Sequence, residues 1–424
     1  MKQIEIPYGR KHLLANVAEE NLLGVYESEV PQAAADPIAE VENALDNPIG
    51  SQKLEELSVG KKNCVIIASD HTRPVPSKVL MPAMLKRLRS GNPNIDISIL
   101  IATGCHRETS RAELVEKFGE EIVDNEKILV HDSSDRSQLC FVDILPSGGE
   151  LVLNKMVMET DLLVSEGFIE PHFFAGFSGG RKSVLPGVAA RETVLANHCS
   201  EFIQSPFART GNLANNPIHG DMVFAAKKAN LAFILNVVIN GEKKIVKAFA
   251  GDREAAHEAG CAFLKSVCRV AVPTADIVIT SNGGYPLDQN IYQSVKGMTA
   301  GEAVCREGGV IILTACCNDG HGGAAFYKVL SECASAQALL DSIADIPRDK
   351  TTPDQWQYQI LVRILTKYKV IMVTSDCDHE MIRNMKMDAA STIDEALQLA
   401  YQYVGSSAKV AVIPDGVSVI AEKA

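Results

Sequence analysis

The chain has 424 residues, of which 46% are hydrophobic, and this length favours two or three domains with packed cores of their own. Its 41 Lys and Arg residues against 53 Asp and Glu residues give a formal net charge of −12, which disfavours binding to nucleic acid or to an anionic membrane surface. Composition therefore excludes an intrinsically disordered chain and argues against a general nucleic-acid binder.

The sequence carries no signature of a membrane or secreted protein. Its apolar runs fall far short of the ~20 residues that a membrane-spanning helix needs, and its first residues alternate polar and apolar side chains. The 11 cysteines are odd in number and lack the spacing of a disulfide framework or a CxxC zinc site. We therefore predict no membrane association, a cytoplasmic location and reduced thiols.

Short β-branched runs alternate with helical patterns in the first part of the chain. The strand-like runs are NCVIIAS (63–69), ISILIAT (97–103), DLLVSEG (161–167) and LAFILNVVI (231–239). Helical patterns over 76–90 and 109–123 lie between them. This alternation predicts an α/β domain with a mainly parallel sheet, and we assign it to residues 1–272.

The same alternation restarts after the break at Pro273. The later strand-like runs are DIVIT (276–280), GVIILT (309–314), KVIMVT (369–374) and KVAVI (409–413). We predict a second α/β domain over 273–424, whose last segment could return to the first domain. The predicted architecture is two α/β domains with mainly parallel sheets that face a central cleft.

In open α/β sheets ligands bind beyond the carboxyl ends of the strands, so the residues after each run are the first candidates. Asp70, His71, Thr72 and Arg73 follow the first run and combine groups that suit a nucleotide's phosphate and ribose. A helix cap with a surface ion pair is the alternative. His106 follows the second run, where it could transfer protons or simply cap a helix.

The stretch FIEPHFFAGFSGGRKSVLPG (168–187) nearly spells a P-loop. Its glycines are separated by three residues instead of four, Arg181 interrupts the motif, and Pro186 would disrupt the helix that receives the phosphates. Lys182 beside that arginine could instead be a covalent attachment point, because a neighbouring cation disfavours the protonated amine. An ordinary anion-binding turn is the alternative.

Two further places carry candidate ligands. His198 ends the helical pattern ARETVLANHC, where it could meet the helix dipole or bind a metal whose other ligands come from a cofactor. Tyr292 or Gln293 would share a helix face with Lys296. That face suits a small carboxylate, and a solvated helix face is the alternative.

The segments DHTRPVP, TGCHRE, EGFIEPHFFAGFSGGRKSVLPG, ANH and SNGGYPLDQNIYQSVKGMT together resemble the nickel-pincer lactate racemase family nearly end to end. The resemblance implies a two-domain isomerase that racemises a 2-hydroxy acid, with lactate as the expected substrate. Hydride would pass reversibly to a nickel-pincer pyridinium mononucleotide bound covalently to Lys182. His198 would be the protein ligand of the nickel. His106 and His172 would be the acid/base pair.

The resemblance also implies binding residues and partners. It assigns cofactor contacts to Asp70, His71, Thr72, Arg73 and Pro186, and substrate carboxylate contacts to Tyr292, Gln293 and Lys296. The expected partners are a small 2-hydroxy acid and the proteins that make the cofactor. Substrate choice is expected to vary beside Cys105 and Pro171. The alternatives are a racemase or epimerase of another 2-hydroxy acid with the same cofactor, and a non-catalytic protein that binds a nucleotide or cofactor.

Overall fold

The computed structural model describes all 424 residues, and the chain forms two compact units. The N-terminal unit comprises Val30–His198 and Ser205–Ser266, and the C-terminal unit comprises Met1–Glu29, Cys199–Gln204 and Val267–Ala424. The predicted division into 1–272 and 273–424 therefore differs from the structure at three segments. The first 29 residues, the short piece after His198 and residues 267–272 group with the C-terminal unit.

The secondary structure alternates strands and helices along most of the chain. The strands are β1 (Lys2–Tyr8), β2 (Lys11–Val17), β3 (Leu22–Val25), β4 (Asn63–Ser69), β5 (Asp96–Ala102), β6 (Lys127–Val130), β7 (Leu139–Ile144), β8 (Glu150–Asn154), β9 (Leu162–Phe168), β10 (Pro171–His172), β11 (Gly176–Phe177), β12 (Leu231–Ile239), β13 (Ile245–Gly251), β14 (Arg269–Val272), β15 (Ala275–Ser281), β16 (Cys305–Thr314), β17 (Lys369–Val373), β18 (Asp388–Ala390), β19 (Val410–Ile413) and β20 (Ile420–Lys423).

The helices lie mainly between these strands. They are α1 (Pro37–Asp46), α2 (Leu54–Ser58), α3 (Ser77–Gly91), α4 (Arg111–Phe118), α5 (Glu120–Asn125), α6 (Lys155–Glu159), α7 (Arg191–Asn197), α8 (Ser200–Gln204), α9 (Pro217–Lys228), α10 (Ala255–Cys268), α11 (Ile291–Val304), α12 (Ala324–Glu332), α13 (Ala336–Ala344), α14 (Gln355–Leu365), α15 (His379–Asn384) and α16 (Ile393–Val404).

The N-terminal unit is built on a six-stranded sheet in the order β13-β12-β9-β4-β5-β6. All neighbours are parallel except the edge strand β13, which is antiparallel to β12. The five inner residues of β4 are buried, as expected for a central strand covered on both faces. Helix α3 covers one face with Leu80, Met81, Met84 and Leu88 at helical spacing, all fully buried.

The C-terminal unit has its own six-stranded sheet, in the order β18-β17-β16-β15-β19-β3, and all its neighbours are parallel. Its core joins residues from these strands with Ile4 and Ile6 of the β1–β2 hairpin and Leu397 of α16. Strand β20 pairs with β14 within the same unit, so the last segment does not return to the first domain. The prediction of two α/β domains with mainly parallel sheets is confirmed.

Candidate active site

Loops at one edge of the N-terminal sheet carry the candidate catalytic residues. Strands β5, β4 and β9 are neighbours and parallel, so their carboxyl ends lie at the same edge. Asp70 follows β4, His106 lies in the loop after β5, and His172 and Lys182 lie in the stretch after β9. The fold thereby brings together residues that are more than 100 positions apart in the sequence.

Asp70 and His106 form a close carboxylate–imidazole pair. The Nδ1 atom of His106 lies 2.6 Å from Oδ2 of Asp70, whose side chain is 1% exposed. The other carboxylate oxygen accepts hydrogen bonds from the backbone N–H and the hydroxyl of Thr72. Burial alone would raise the pKa of Asp70, but its hydrogen bond with His106 and the positive charges nearby lower it overall. An ionised Asp70 accepts from Nδ1–H of His106, which orients the ring and leaves the lone pair of a neutral imidazole on Nε2.

His172 and Lys182 meet directly. His172 lies in the two-residue strand β10, which pairs with β11 in a short hairpin. Its Nδ1 atom accepts a hydrogen bond from the backbone N–H of Ala175 at 3.2 Å, so a neutral ring carries its proton on Nε2. That Nε2 atom lies 3.3 Å from Nζ of Lys182. The lone pair of an unprotonated amine would accept the imidazole proton in this geometry.

His198 completes this group through a shared aromatic neighbour. The ring of His198 packs edge-on against Phe174 at 5.1 Å, His172 packs against the same ring at 4.5 Å, and Nζ of Lys182 lies 5.7 Å from its centroid. Burial and the charge of Lys182 lower the pKa of His198 to about 3. A buried imidazole that stays neutral is the form that binds a metal.

The loop of His106 packs against the turn that contains Pro186. The backbone N–H of Gly104 donates to the carbonyl of Gly187 at 3.0 Å, and a Cβ on Gly104 would lie 3.4 Å from the carbonyl oxygen of Pro186. Gly104 has a φ of +55°, a conformation that glycine adopts without strain. This contact connects the His106 loop to the turn that follows Lys182.

The other predicted nucleotide contacts differ in exposure. Thr72 and Arg73 are exposed, whereas His71 is half-buried and its Nδ1 atom lies 3.0 Å from the hydroxyl of Thr109. Nζ of Lys117 lies 3.5 Å from the carbonyl oxygen of Arg73. Burial lowers the pKa of Lys117. Arg73 in the loop after β4 and Lys117 on α4 therefore place two cations beside exposed polar groups of this loop.

Sequence reasoning missed a buried carboxylate beneath this loop. Glu166 of β9 is 2% exposed, and both of its oxygens lie 2.9 Å from the hydroxyl of Ser77, the first residue of α3. It also accepts from the backbone N–H of Ser69. Burial raises its pKa. A glutamate within an apolar strand run was the signal that could have identified it.

The predicted substrate-binding residues lie in the C-terminal unit, at the start of α11. Tyr292, Gln293 and Lys296 are half-buried, in contrast to the mostly buried residues around them. The Tyr292 hydroxyl donates to Asp354 at 2.8 Å, and Asn290 caps the helix by accepting from the backbone N–H of Gln293. As the spacing predicts, Lys296 lies one turn after Tyr292 and Gln293.

Three features of the whole chain bear on its chemistry. The side chains include no group of three or more His, Cys, Asp or Glu residues arranged to hold a metal ion. Every helix is too short or too polar to cross a membrane. None of the 11 cysteines forms a disulfide.

Comparison with known proteins gives the family. Residues 8–211 match the lactate racemase N-terminal domain, and residues 270–421 match the lactate racemase C-terminal domain. A lactate racemase of Thermoanaerobacterium thermosaccharolyticum is 55% identical over 422 residues, which is 99% of each chain. The chain belongs to the lactate racemase family. By this membership it is an isomerase of the racemase class, as predicted.

Other relatives agree with this assignment. The racemase is 54% identical over 425 residues to a lactate racemase of Lactiplantibacillus plantarum, which covers 99% of the chain and 100% of that protein. The solved structure of the lactate racemase apoprotein from T. thermosaccharolyticum superposes with a TM-score of 0.96, at 55% identity and full coverage of both chains. A crystal structure of a Thermotoga maritima protein has a TM-score of 0.60 at 18% identity, covering 87% of this chain and 98% of that one, and shares the fold alone.

Proposed function

We propose that the protein racemises lactate with a nickel-pincer nucleotide attached to Lys182. The observation that carries this proposal is the cluster around Phe174, in which Nζ of Lys182 lies 3.3 Å from Nε2 of His172 and His198 packs on the same phenyl ring. An attachment lysine, a neutral imidazole ligand and an acid/base histidine are thus neighbours. The names of the relatives support lactate as the substrate.

The side chains in this cluster fit the proposed cofactor chemically. A buried neutral imidazole suits Ni(II), and a cofactor that binds nickel through sulfur and carbon needs only one further ligand from the protein. The position of His198 beside Phe174 supports it as that ligand. The exposed Arg73 and the nearby Lys117 could bind the phosphate of a nucleotide.

The two catalytic histidines would move the proton of the substrate hydroxyl. When bound, the cofactor would supply an acceptor for the hydride of the substrate carbon. One imidazole would remove the hydroxyl proton from one enantiomer, and the other would return a proton to the opposite hand. Asp70 would stabilise the cationic form of His106 during this transfer, because its carboxylate lies 2.6 Å from Nδ1.

The substrate carboxylate needs a fixed cation while the carbon changes geometry. Lys296 and Gln293 on the half-buried face of α11 would supply this contact through charge-assisted hydrogen bonds to the carboxylate. Tyr292 would help to shape this face, since its hydroxyl is held by Asp354. We further infer that other proteins make the cofactor and that both they and this racemase work in the cytoplasm.

The attachment at Lys182 is tested by mass. We expect the chain co-expressed with cofactor-making proteins to carry an added mass that maps to the peptide containing Lys182, and Lys182→Ala to lack this mass and racemise no lactate. Lys244→Ala is the matched control, because Lys244 is 64% exposed and pairs only with Glu242. An adduct that persists in Lys182→Ala, or an active chain without one, would contradict the proposal.

The acid/base pair is tested by separating catalysis from cofactor attachment. We expect His106→Ala and His172→Ala each to lower racemisation by at least about 100-fold, the usual contribution of general acid–base catalysis, while the adduct persists. Chiral chromatography of lactate measures the rate, and intact mass gives the occupancy. Loss of the adduct in both variants would make the histidines binding residues instead. A panel of 2-hydroxy acids decides whether lactate is the preferred substrate.

A further inference from the structure

Arg181, the residue before Lys182, is buried inside the N-terminal unit. Its side chain is 2% exposed. The guanidinium donates to the carbonyl oxygens of Ala175 at 2.8 Å and Gly179 at 3.2 Å, with that of Ser178 at 3.5 Å. Arg181 therefore contacts the backbone at three points of the turn that runs from the His172 hairpin to Lys182.

The remaining polar contacts of this guanidinium are with two imidazoles. Nε of Arg181 donates to Nδ1 of His219 at 3.0 Å, and Nη1 lies 3.0 Å from Nε2 of His257. No carboxylate lies within ion-pair distance of Arg181. Burial accordingly lowers the pKa of Arg181 to about 10, which still leaves the guanidinium charged at neutral pH.

Both imidazoles are kept neutral by their surroundings. Burial and the charge of Arg181 lower the pKa of His219 to about 4, and the same two causes hold the pKa of His257 well below its usual value. Nδ1 of a neutral His219 can then accept the Arg181 hydrogen while Nε2 carries the proton. The cluster is thus a buried cation beside two neutral imidazoles, of which His257 also places Nε2 2.9 Å from the carbonyl oxygen of Ser178 in the same turn. Burying such a cation is costly unless its hydrogen bonds are satisfied.

Two further side chains pack against the turn that Arg181 contacts. The ring of His257 lies where a Cβ on Gly180 would meet it at 2.7 Å, and the side-chain oxygen of Asn236 accepts from the N–H of Gly180 at 2.8 Å. Gly179 and Gly180 both have positive φ, which other residues adopt only with strain. The turn therefore fits one conformation, and Arg181 links its carbonyls to helices α9 and α10, which carry His219 and His257.

We propose that Arg181, through His219 and His257, is a positioning residue that holds the turn of residues 175–183 so that Lys182 meets His172 and accepts the cofactor. This inference rests on the proposed function for its consequence, attachment at Lys182. The planar guanidinium presents five N–H donors in a fixed fork, a geometry that lysine cannot reproduce. Arg181 does not touch the reacting atoms in this role.

The test compares variants of two arginines, Arg181 and Arg253, that line one cavity of about 180 Å³ together with His219 and His257. Arg181→Met removes the hydrogen bonds and keeps the side-chain bulk. Arg253→Met is the matched control, because Arg253 donates to the carbonyl of Leu231 and not to the turn. A second pair of variants keeps the inference testable if Arg181→Met does not fold. His219→Asn keeps an acceptor for Arg181, and His219→Phe removes it.

Two readouts are measured on the full chain. Hydrogen exchange of the peptide spanning 173–184, without cofactor, reports on the turn itself, and intact mass after co-expression with cofactor-making proteins reports adduct occupancy. We expect Arg181→Met and His219→Phe to exchange at least about tenfold faster in this peptide and to carry several-fold less adduct. Arg253→Met and His219→Asn should match the wild type in both.

The outcomes separate this inference from the proposed function. Wild-type occupancy in Arg181→Met and His219→Phe would overturn the positioning role, whether or not the turn exchanges faster. Equal loss in His219→Asn and His219→Phe would also overturn it, since only one of them lacks the acceptor. A wild-type chain without adduct contradicts the proposed function, and the exchange comparison then still decides whether Arg181 holds the turn.

Discussion

The carboxylate of Asp70 contacts both His106 and Thr72. The sequence predicts a contact with the cofactor nucleotide, because Asp70 follows a strand and its carboxylate suits ribose hydroxyls. The 2.6 Å pair with His106 supports a further role, the orientation of this imidazole. Asp70 could be found from its place after β4, but its partner lies 36 positions away and only the fold brings the two together.

The role of Asp70 can be tested with an isosteric change. Asp70→Asn keeps the shape but loses the charge that stabilises a cationic His106, so we expect kcat for racemisation to fall by about 10²- to 10⁴-fold. Adduct occupancy should remain near the wild-type value. Asp132→Asn is the control, since Asp132 is an exposed carboxylate in the loop after β6. A fall in occupancy that matches the fall in rate would instead assign Asp70 to cofactor binding.

The remaining site residues show the same limit of sequence reasoning. Lys182, His172 and His198 could be selected because each follows a strand or ends a helix. Their common neighbour Phe174 could not be selected, because an aromatic side chain in a mixed loop carries no signal of which rings it touches. The hydrogen bonds of Arg181 were invisible for the same reason: His219 and His257 lie 38 and 76 positions away.

Strands and helices were more predictable from the sequence than side-chain contacts, because hydrophobic periodicity is a local property of the chain. The run LAFILNVVI coincides with β12, and NCVIIAS coincides with β4. The helical pattern over 109–123 was wrong in one respect. Gly119 has a φ of +90° and divides it into α4 and α5. A glycine inside an amphipathic pattern is tolerated or ends the helix, and the choice depends on tertiary packing.

Glu166 connects three elements at the edge of the sheet that carries the site. It lies on β9 and accepts hydrogen bonds from Ser77 at the start of α3 and from Ser69 at the end of β4. We predict that Glu166→Leu destabilises the protein by about 2–4 kcal/mol, because the buried hydroxyl of Ser77 and the half-buried N–H of Ser69 lose their acceptor. Glu166→Gln keeps one acceptor oxygen and should cost less. Urea unfolding of the cofactor-free chain measures both.

Measuring the adduct occupancy of the two Glu166 variants tests the loop between Ser69 and Ser77. Loss of the acceptor should loosen this loop, and Glu166→Leu should therefore carry less adduct than Glu166→Gln. Glu150→Leu is a suitable control, because Glu150 is exposed at the start of β8. If both Glu166 variants unfold at the wild-type urea concentration, Glu166 does not hold these elements together.

At the scale of the molecule, the sequence could not reveal how the first 29 residues are used. Strand β3 pairs with β19, and Val412 is the partner of Val25 across almost the whole chain. The β1–β2 hairpin likewise covers core residues that are contributed by strands from the C-terminal half. Hydrophobic periodicity identifies a strand but not its partner, so a contiguous division at residue 272 was the simplest hypothesis.

Three buried histidines and the half-buried His219 of the N-terminal unit should make the racemase sensitive to mild acid. Burial is the first cause that lowers the pKa of each of them, to about 3 for His198 and about 4 for His219, with the same direction for His131 and His257. The unfolded chain binds protons at these histidines below their ordinary pKa of about 6.5, whereas the folded chain does not. Their contribution to stability is therefore complete above pH 6.5 and is lost as the pH falls toward 4 and 3.

The free energy of unfolding of the cofactor-free chain should fall between pH 6.5 and pH 4.5, by up to about 1.4 kcal/mol per pH unit for each histidine that titrates only in the unfolded state. His219→Asn removes one such group but keeps an acceptor for Arg181. In this variant the unfolding free energy should therefore change less steeply with pH, by up to about 1.4 kcal/mol per pH unit, which corresponds to one proton. Urea unfolding at several pH values measures both slopes. Equal slopes in the two chains would show that His219 already binds a proton in the folded state, and the neutral acceptor assigned to it would be wrong.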